Sequence, residues 1–381
     1  MNKPLYAAML LAFSCAAASA QAQSLVYVSN AASGTVTGYK LDKTKPALES
    51  TGTFPAGEKA MSSVVSPDKK MLYVSVRSKP YRVVAYRIQP DGTLLKASET
   101  PLPESMAYLS TDRQGHYLLS ASFGGDLFSI NAIDSAGNVV EKPVQVVHTG
   151  KRAHAVQVDA ENRHLYVTQL GTDQLLQYRF DGATGKVTPL DPPFINIQHE
   201  AATGPRHFVI APRRDKQGQR NMYILNEMAG NITRVILDDA GRATAHEDVS
   251  SISPDEDMQR GEARPLTGDD DLPPSHKPRI WQADIHLTPD GRFLYSTERT
   301  SSTLTSFSVD AGDGHLTRLQ SIKTEAQPRG FAIDNSGRFL IESGQKSEQL
   351  SLYAINSSTG ALTLLGRYPT GKGANWVTLV E

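Results

Sequence analysis

The sequence DIHLTPDGRFLYSTER, residues 284–299, contains the unit from which the rest of the chain is built. Pro289, Asp290 and Gly291 form a turn signal, because proline presets φ, aspartate caps the backbone and glycine tolerates a positive φ. Apolar and polar residues alternate on both sides of this turn, which is typical of two antiparallel strands. The stretch therefore predicts a β-hairpin that holds charged side chains at its open end.

The same hairpin recurs along the chain. Counted from the residue after each first strand, the copies lie at 66, 110, 159, 210, 288 and 334. Each copy is followed by another alternating strand, a turn such as Asp91-Gly92 or Thr184-Gly185, and a short last strand. A repeat of roughly 40–50 residues with four short strands is typical of a β-propeller blade.

The two ends of the chain supply one further blade. Residues 25–29 match the second strand of the hairpin but have no partner before them, and residues 374–380 match the missing partner. The sequence therefore predicts an all-β, seven-bladed β-propeller with four-stranded antiparallel blades. The C-terminal strand would join the N-terminal blade and close the ring, which removes a free sheet edge.

The first 22 residues have the pattern of a cleavable secretory signal peptide. Lys3 is followed by an apolar run and by the small residues Ala18-Ser19-Ala20. The only cysteine, Cys15, lies inside this segment after a poor lipobox, so we expect cleavage rather than a lipid anchor. The sequence predicts an exported, periplasmic protein whose residues 23–381 form one propeller domain.

Composition narrows the partners of the mature chain. The formal net charge of −1 gives no reason to expect nucleic acid or an anionic membrane. No later segment is apolar enough to span a bilayer, and we expect a monomer. An acidic, proline-rich insertion occupies about residues 250–279; its spacing does not match an EF-hand loop, which leaves a solvated loop or a lid over the channel.

Polar residues recur at two stations of the blades, at the start of first strands and after second strands. The first group is His154, Arg206, His207, Asp284, His286 and Arg329, and the second is Asn226, Glu227, Glu298, Arg299, Gln345 and Lys346. In a closed ring both stations meet at one mouth of the channel. Arginine forks suit an anionic substrate, a carboxylate or imidazole can activate water, and arginine can stabilise an oxyanion.

These groups suffice for hydrolysis of an activated ester such as a lactone. The sequence has no Gly-x-Ser-x-Gly elbow, no His-Glu-x-x-His and no glycine-rich phosphate loop. Arginines in the same cleft would oppose a cation, so we predict neither a metal nor a cofactor.

Several motifs resemble those of the lactonase family of seven-bladed propellers, in particular the bacterial cycloisomerase-type 6-phosphogluconolactonases. They are Gly204-Pro205-Arg206-His207, Asn226-Glu227, the run 281–292, Arg299-Thr300, Gln327-Pro328-Arg329-Gly330 and Gly344-Gln345-Lys346-Ser347. The resemblance covers nearly the whole mature chain. It implies cofactor-free ring opening of 6-phosphogluconolactone, a step of the pentose phosphate pathway.

The resemblance also implies roles for single residues. Related fungal propellers that close a muconate into a lactone use a histidine, two arginines and a glutamate, which match His154, Arg206, Arg299 and Glu227. We therefore expect Glu227 or His154 to activate water while the two arginines hold the anion and polarise the carbonyl. The remaining predicted substrate-binding residues are His207, His286, Arg329, Asn226, Gln345 and Lys346.

Other interpretations stay open at this point. Arg206 and Glu227 could be a purely structural ion pair. The chain could be an exported propeller that binds an anionic ligand or a partner protein, or a muconate-type cycloisomerase. The export signal and the insertion leave open whether the lactone is phosphorylated, unphosphorylated or carboxylated.

Overall fold

A computed structural model describes residues 24–197, 202–266 and 272–381 of the chain. The predicted signal peptide, residues 1–22, lies outside these ranges. All regular secondary structure in the described ranges is β, in seven four-stranded antiparallel sheets. The predicted seven-bladed β-propeller is confirmed.

Each sheet is one blade, numbered here by its place in the chain. Blade 1 consists of β1 (Ser24–Asn30), β2 (Thr35–Asp42), β3 (Ala47–Pro55) and the last strand of the chain, β28 (Ala374–Val380). Blade 2 consists of β4 (Ala60–Val65), β5 (Met71–Val76), β6 (Arg82–Ile88) and β7 (Leu94–Pro101). Blade 3 consists of β8 (Tyr108–Thr111), β9 (Tyr117–Ser122), β10 (Leu127–Ala132) and β11 (Gln145–His148). Blade 4 consists of β12 (Ala153–Val158), β13 (His164–Gln169), β14 (Gln174–Asp181) and β15 (Lys186–Asn196).

The remaining three blades follow the same order. Blade 5 consists of β16 (Pro205–Ile210), β17 (Arg220–Asn226), β18 (Asn231–Leu237) and β19 (Ala243–Ser250). Blade 6 consists of β20 (Gln282–Leu287), β21 (Phe293–Glu298), β22 (Thr303–Val309) and β23 (Leu316–Lys323). Blade 7 consists of β24 (Pro328–Ile333), β25 (Phe339–Gly344), β26 (Gln349–Ile355) and β27 (Leu362–Pro369).

The hairpin predicted at residues 284–299 is formed by β20 and β21. Its turn is closed by the Gly291 amide, which donates to the Thr288 carbonyl at 2.8 Å, and Gly291 has the positive φ of 74° that the turn requires. At the chain ends β28 pairs antiparallel with β1, with Val377 opposite Val28. The predicted closure of the ring by the C-terminal strand is thus confirmed.

The core is divided among the blade interfaces. In the described residues it forms seven apolar clusters, each shared by two neighbouring blades. Between blades 5 and 6, for example, Tyr223 and Leu225 pack against Leu294 and Phe307. The inner strands β4, β8, β12, β16, β20, β24 and β28 contact one another in a ring around the channel. Burial between blades therefore fixes the channel without a single central core.

The repeated tyrosine of the second strand joins five of the seven blades to the blade that follows. Its hydroxyl donates to a glycine carbonyl in the turn between the third and fourth strands of the following blade. The pairs are Tyr27 to Gly92 (3.0 Å), Tyr73 to Gly137 (2.9 Å), Tyr166 to Gly241 (2.7 Å), Tyr223 to Gly314 (2.7 Å) and Tyr295 to Gly360 (2.8 Å). We call this end of the propeller the turn face, and the opposite end, where the inner strands begin, the mouth.

The junction that closes the ring uses a different contact. Blade 7 has Ile341 at the tyrosine station, so it has no hydroxyl to donate. Instead Lys43 of blade 1 lies 2.9 Å from Asp334 of blade 7 and 2.5 Å from Glu381 at the chain end. An ion-pair cluster thus stands where hydrogen-bonded tyrosines join the other blades.

Candidate active site

The inner strands share a β-bulge close to the mouth. The pairing shifts by one residue near the start of β4, β12, β16, β20 and β24, and opposite β28. A bulge re-aims side chains beside it, so the strict in-and-out alternation of a strand is lost at this point. The consecutive residues Arg206 and His207 of β16 can therefore both take part in one site.

Gly204 shows why the chain enters β16 as it does. Its φ is +76°, and a Cβ there would lie 2.8 Å from the Cε of Met228. Its amide donates to Asp173 at 2.7 Å, and its carbonyl accepts from the Glu227 amide at 2.7 Å. The glycine of this motif therefore ties the start of the inner strand to the segment that carries Glu227.

A buried carboxylate shared by two arginines forms the centre of the site. Glu227 Oε2 accepts from Arg206 Nε at 2.7 Å and from Arg299 Nη2 at 2.9 Å. All three residues are at least 95 % buried. Arg206 also donates to the carbonyl of Ala283, and Arg299 donates to that of Gln282. The guanidinium groups are thus held rigidly, which suits groups that stabilise charge in a transition state.

His207 connects this centre to Asp284. Arg206 Nη1 lies 3.1 Å from His207 Nε2, and a guanidinium can only donate, so Nε2 is the acceptor. The ring is then neutral, with its proton on Nδ1, which donates to Asp284 Oδ1 at 2.8 Å. Burial and the charge of Arg206 lower the pKa of His207 to about 3, which agrees with a neutral ring.

Asp284 is the anchor for two histidines and for the backbone amide of Phe331. Its Oδ2 lies 3.1 Å from His286 Nε2 and accepts from the Phe331 amide at 3.2 Å. Burial alone would raise the pKa of Asp284, but the charge of His286 and the bond from His207 hold it below its ordinary value. This carboxylate therefore stays ionised and orients His207 and His286.

His154 lies beside His207 without being bonded to it. The two rings are 5.1 Å apart, edge to face, and Phe123 contacts His154 from another side. Its Nδ1 is buried, and no described residue bonds it. Burial, followed by the charge of Arg206, holds the pKa of His154 well below its ordinary value. The imidazole is therefore neutral near pH 7 and can accept a proton.

The other predicted site residues lie in different surroundings, and not all of them face the same space. Arg329 is close enough for its charge to lower the pKa of both His154 and His207. Lys346 lines a neighbouring cleft. The backbone amide of Gln345 donates to the backbone carbonyl of Gln327. The Asn226 amide group is directed into its own blade, where it donates to Asn231 and Thr233 at 2.8 Å.

Aromatic residues to which the sequence motifs assign no role surround His207. Tyr108 of blade 3 and Trp376 of blade 1 contact its ring edge to face, with centroids 5.1 and 5.6 Å away. They come from two other blades and also contact each other, with ring centroids 5.4 Å apart, so side chains of three blades meet around this histidine. Both lie on inner strands next to the mouth, and this station is the signal that could have identified them.

The insertion forms one wall of a cleft over blades 6 and 7. Its described parts, 251–266 and 272–281, meet in a parallel bridge between Gln259 and Arg279. The cleft has a volume of about 390 Å³, and Arg264, Trp281 and Arg299 are among its lining residues. Of the two interpretations of the insertion, the structure supports a segment packed over the mouth at this cleft.

Two further observations concern binding partners. The described ranges contain no group of three histidine, cysteine, aspartate or glutamate side chains that could hold a metal ion. Within the same ranges, no helix is long and apolar enough to cross a membrane.

Comparisons with known proteins agree with this architecture. The family described as lactonase, 7-bladed beta-propeller, matches residues 22–379. A 6-phosphogluconolactonase of Serratia proteamaculans is 37 % identical over 334 residues, which cover 88 % of this chain and 92 % of that protein. A 6-phosphogluconolactonase of Sodalis glossinidius is 34 % identical and covers 93 % and 98 % of the two chains.

Solved structures show the same fold. A periplasmic gluconolactonase of Pseudomonas aeruginosa has a TM-score of 0.78 at 21 % identity, with 94 % of this chain and 99 % of that chain covered. A protein of Lactobacillus plantarum has a TM-score of 0.79 at 25 % identity, with 94 % and 100 % covered. The chain belongs to the lactonase family of seven-bladed β-propellers, and the predicted family is confirmed.

Proposed function

We propose that this chain is a lactonase, a carboxylic ester hydrolase that opens the ring of a sugar lactone of the 6-phosphogluconolactone type. The observation that carries this proposal is the pair of buried arginines that converge on Glu227 beside a neutral histidine. The relatives named 6-phosphogluconolactonase support the substrate class.

His154 and the two arginines have different roles in the hydrolysis. His154 takes a proton from water as the water oxygen bonds to the lactone carbonyl carbon. Arg206 and Arg299 stabilise the negative charge that develops on the carbonyl oxygen. The bond to the ring oxygen then breaks, and the proton passes to that oxygen, which leaves an open-chain acid.

Glu227 serves as the positioning residue in this scheme. One of its oxygens already accepts from two guanidinium groups, so this carboxylate holds both arginines in place. His154 has a buried nitrogen that no described residue bonds. Between the two candidate bases named by the sequence, the geometry therefore favours His154.

The substrate is tested by pH-stat measurement of lactone hydrolysis near neutral pH, with the spontaneous rate subtracted. The panel is 6-phosphogluconolactone, glucono-1,5-lactone and a carboxylated muconolactone. We expect turnover of the first two, with the phosphorylated lactone preferred. A chain that hydrolyses none of them would instead be a binding propeller.

The base is tested by the pH dependence of kcat/KM. Because its pKa lies well below the ordinary value, His154 should lose less of its deprotonated form as the pH falls from about 7 to about 5.5 than an ordinary histidine would, so the rate should fall only slightly. A base with an ordinary histidine pKa would lose roughly tenfold across this range. Such a loss, with the melting temperature unchanged, would contradict the assignment to His154.

Export to the periplasm is also proposed, on the pattern of residues 1–22 alone. Expression in a Gram-negative host, followed by fractionation and N-terminal sequencing, tests it. We expect periplasmic protein that begins after Ala20 or Ala22. Full-length protein in the cytoplasm would contradict it.

A further inference from the structure

The cleft over blades 6 and 7 lies directly beside the arginine–glutamate centre. Its volume of about 390 Å³ falls in the range of small-molecule sites. Arg299 belongs to both places, because it lines the cleft and also bonds Glu227. A ligand in the cleft would therefore have one end next to the groups assigned to the chemistry.

The charged residues in the described lining of the cleft are all cations. Its charged lining residues are Arg264, Arg279, Arg299 and Lys346, and the described lining includes no carboxylate. They come from three separate segments of the chain: two from the insertion, one from the end of β21 and one from the loop after β25. Cations gathered from separate segments around a concave space indicate an anion site.

Trp281 holds two of these cations in place. The guanidinium carbons of Arg264 and Arg299 lie 3.8 and 3.7 Å from the centre of its ring. Two such groups cannot share one face at this distance, so they lie on opposite faces of the indole. This arrangement connects the insertion to blade 6 and fixes the wall of the cleft.

Arg279 and Lys346 complete the lining in different ways. Arg279 Nε lies 3.0 Å from Glu262, and its Nη1 donates to the Pro273 carbonyl at 2.6 Å, so this side chain is held in place. Lys346 is exposed and makes no ion pair with any described residue. Its ammonium group on a flexible stem is therefore available to a ligand.

We propose that this cleft binds the phosphate monoester end of the lactone, with Lys346 and the insertion residue Arg264 as specificity-determining residues. The inference rests on the proposed lactonase function and assigns the substrate class to a place in the fold. A phosphate presents three terminal oxygens and up to two negative charges, which suits donors on several sides. A carboxylate has only two oxygens and one charge, so a single arginine side chain would be enough to bind it.

The test compares two substrates in three variants. We expect Lys346→Gln and Arg264→Gln each to raise KM for 6-phosphogluconolactone about tenfold, which corresponds to about 1.4 kcal/mol, since each variant loses a charge-assisted hydrogen bond to the phosphate. Their kcat/KM for glucono-1,5-lactone should stay within about twofold of the unmodified chain. Lys372→Gln is the matched control, because this exposed lysine lies in another loop at the mouth and does not line the cleft.

The possible outcomes distinguish failure of the proposed phosphate subsite from failure of the proposed lactonase function. Equal changes for both substrates, or no change for either, would overturn the subsite while leaving the lactonase intact. If the unmodified chain hydrolysed no lactone, the proposed function would fail. Calorimetric titration with inorganic phosphate would then decide the subsite: binding that Lys346→Gln weakens supports it, and absence of binding overturns it.

Discussion

The two ends of this propeller use the same repeated frame for opposite purposes. On the turn face, five tyrosines at equivalent positions make the same bond to a glycine carbonyl of the next blade. At the mouth, by contrast, the position after the first residue of the inner strand holds five different residue types in the six blades that have the bulge, with arginine in two of them. It is Met61, His154, Arg206, Ala283, Arg329 and Asn375 in blades 2, 4, 5, 6, 7 and 1. Repetition thus stabilises the ring, and variation at one station creates the site.

The largest effect should come from changing the arginine at this variable station. Arg206→Lys keeps the charge but loses the fork that reaches Glu227 and Ala283, so we expect kcat/KM to fall about 100-fold or more. Lactone hydrolysis by the purified variant measures this. Arg234→Lys is the matched control, because Arg234 is also buried and paired with a glutamate, but within the blade.

A large loss of activity in Arg206→Lys but not in Arg234→Lys would support the assignment of catalysis to the residues at the mouth. Arg234→Lys should lose stability and keep its activity within about threefold, since its partners Glu247 and Asn221 lie outside the site. Equal loss of activity in both variants would mean that any buried arginine supports turnover through the fold alone.

On the turn face the expected effect is on stability. Tyr223→Phe leaves the Gly314 carbonyl without its donor, which should lower the free energy of unfolding by about 1–3 kcal/mol while kcat/KM stays unchanged. Denaturant titration and the lactone assay measure the two quantities. Tyr81→Phe is the control, because no described residue bonds the Tyr81 hydroxyl. Lost activity in a folded Tyr223→Phe protein would contradict the separation of the faces.

A smaller effect is expected where the ring closes. Lys43→Gln removes the cation between Asp334 and Glu381, and we expect a loss of about 0.5–1 kcal/mol that shrinks with added salt. Lys70→Gln, at an exposed pair with Asp68 in blade 2, is the control and should change stability by less.

The pH dependence of this pair follows from Asp334. Burial opposes ionisation of Asp334, but bonds from Ser336 and Lys43 lower its pKa below the ordinary value. A lowered pKa gives stability that is complete above the unfolded value and is lost as the pH falls through the folded value. The difference between Lys43→Gln and the unmodified chain should therefore shrink below about pH 4. A difference that persisted unchanged under acid would show that the ion pair is not its source.

The sequence predicted the features that repeat. Turn signals such as Pro289-Asp290-Gly291 and the strand alternation depend on local backbone preferences. The blades and the closure of the ring by β28 could therefore be predicted from the sequence. The two stations that carry His154, Arg206 and Arg299 could also be found, because equivalent strand positions meet at one end of a ring. These are properties of periodicity and topology.

The contacts within the site could not be predicted in the same way. A bulge changes the direction of a side chain without a clear residue signature, so the role of Asp284 as an anchor for two histidines was missed. Asn226 was expected in the cleft, but its amide finds partners one strand away. The sandwich of Trp281 between two arginines needs a segment that is distant in the chain and has no repeat to reveal it.

We propose that the carboxylate shared by two arginines at the mouth positions the groups that hydrolyse the lactone. The most direct measurement is kcat/KM of Glu227→Gln with 6-phosphogluconolactone, beside Glu247→Gln, which alters an arginine-paired glutamate of the same blade away from the site. Loss of about 100-fold or more in Glu227→Gln alone, in a folded protein, is the result that we predict. Activity within about threefold of the unmodified chain would contradict the claim.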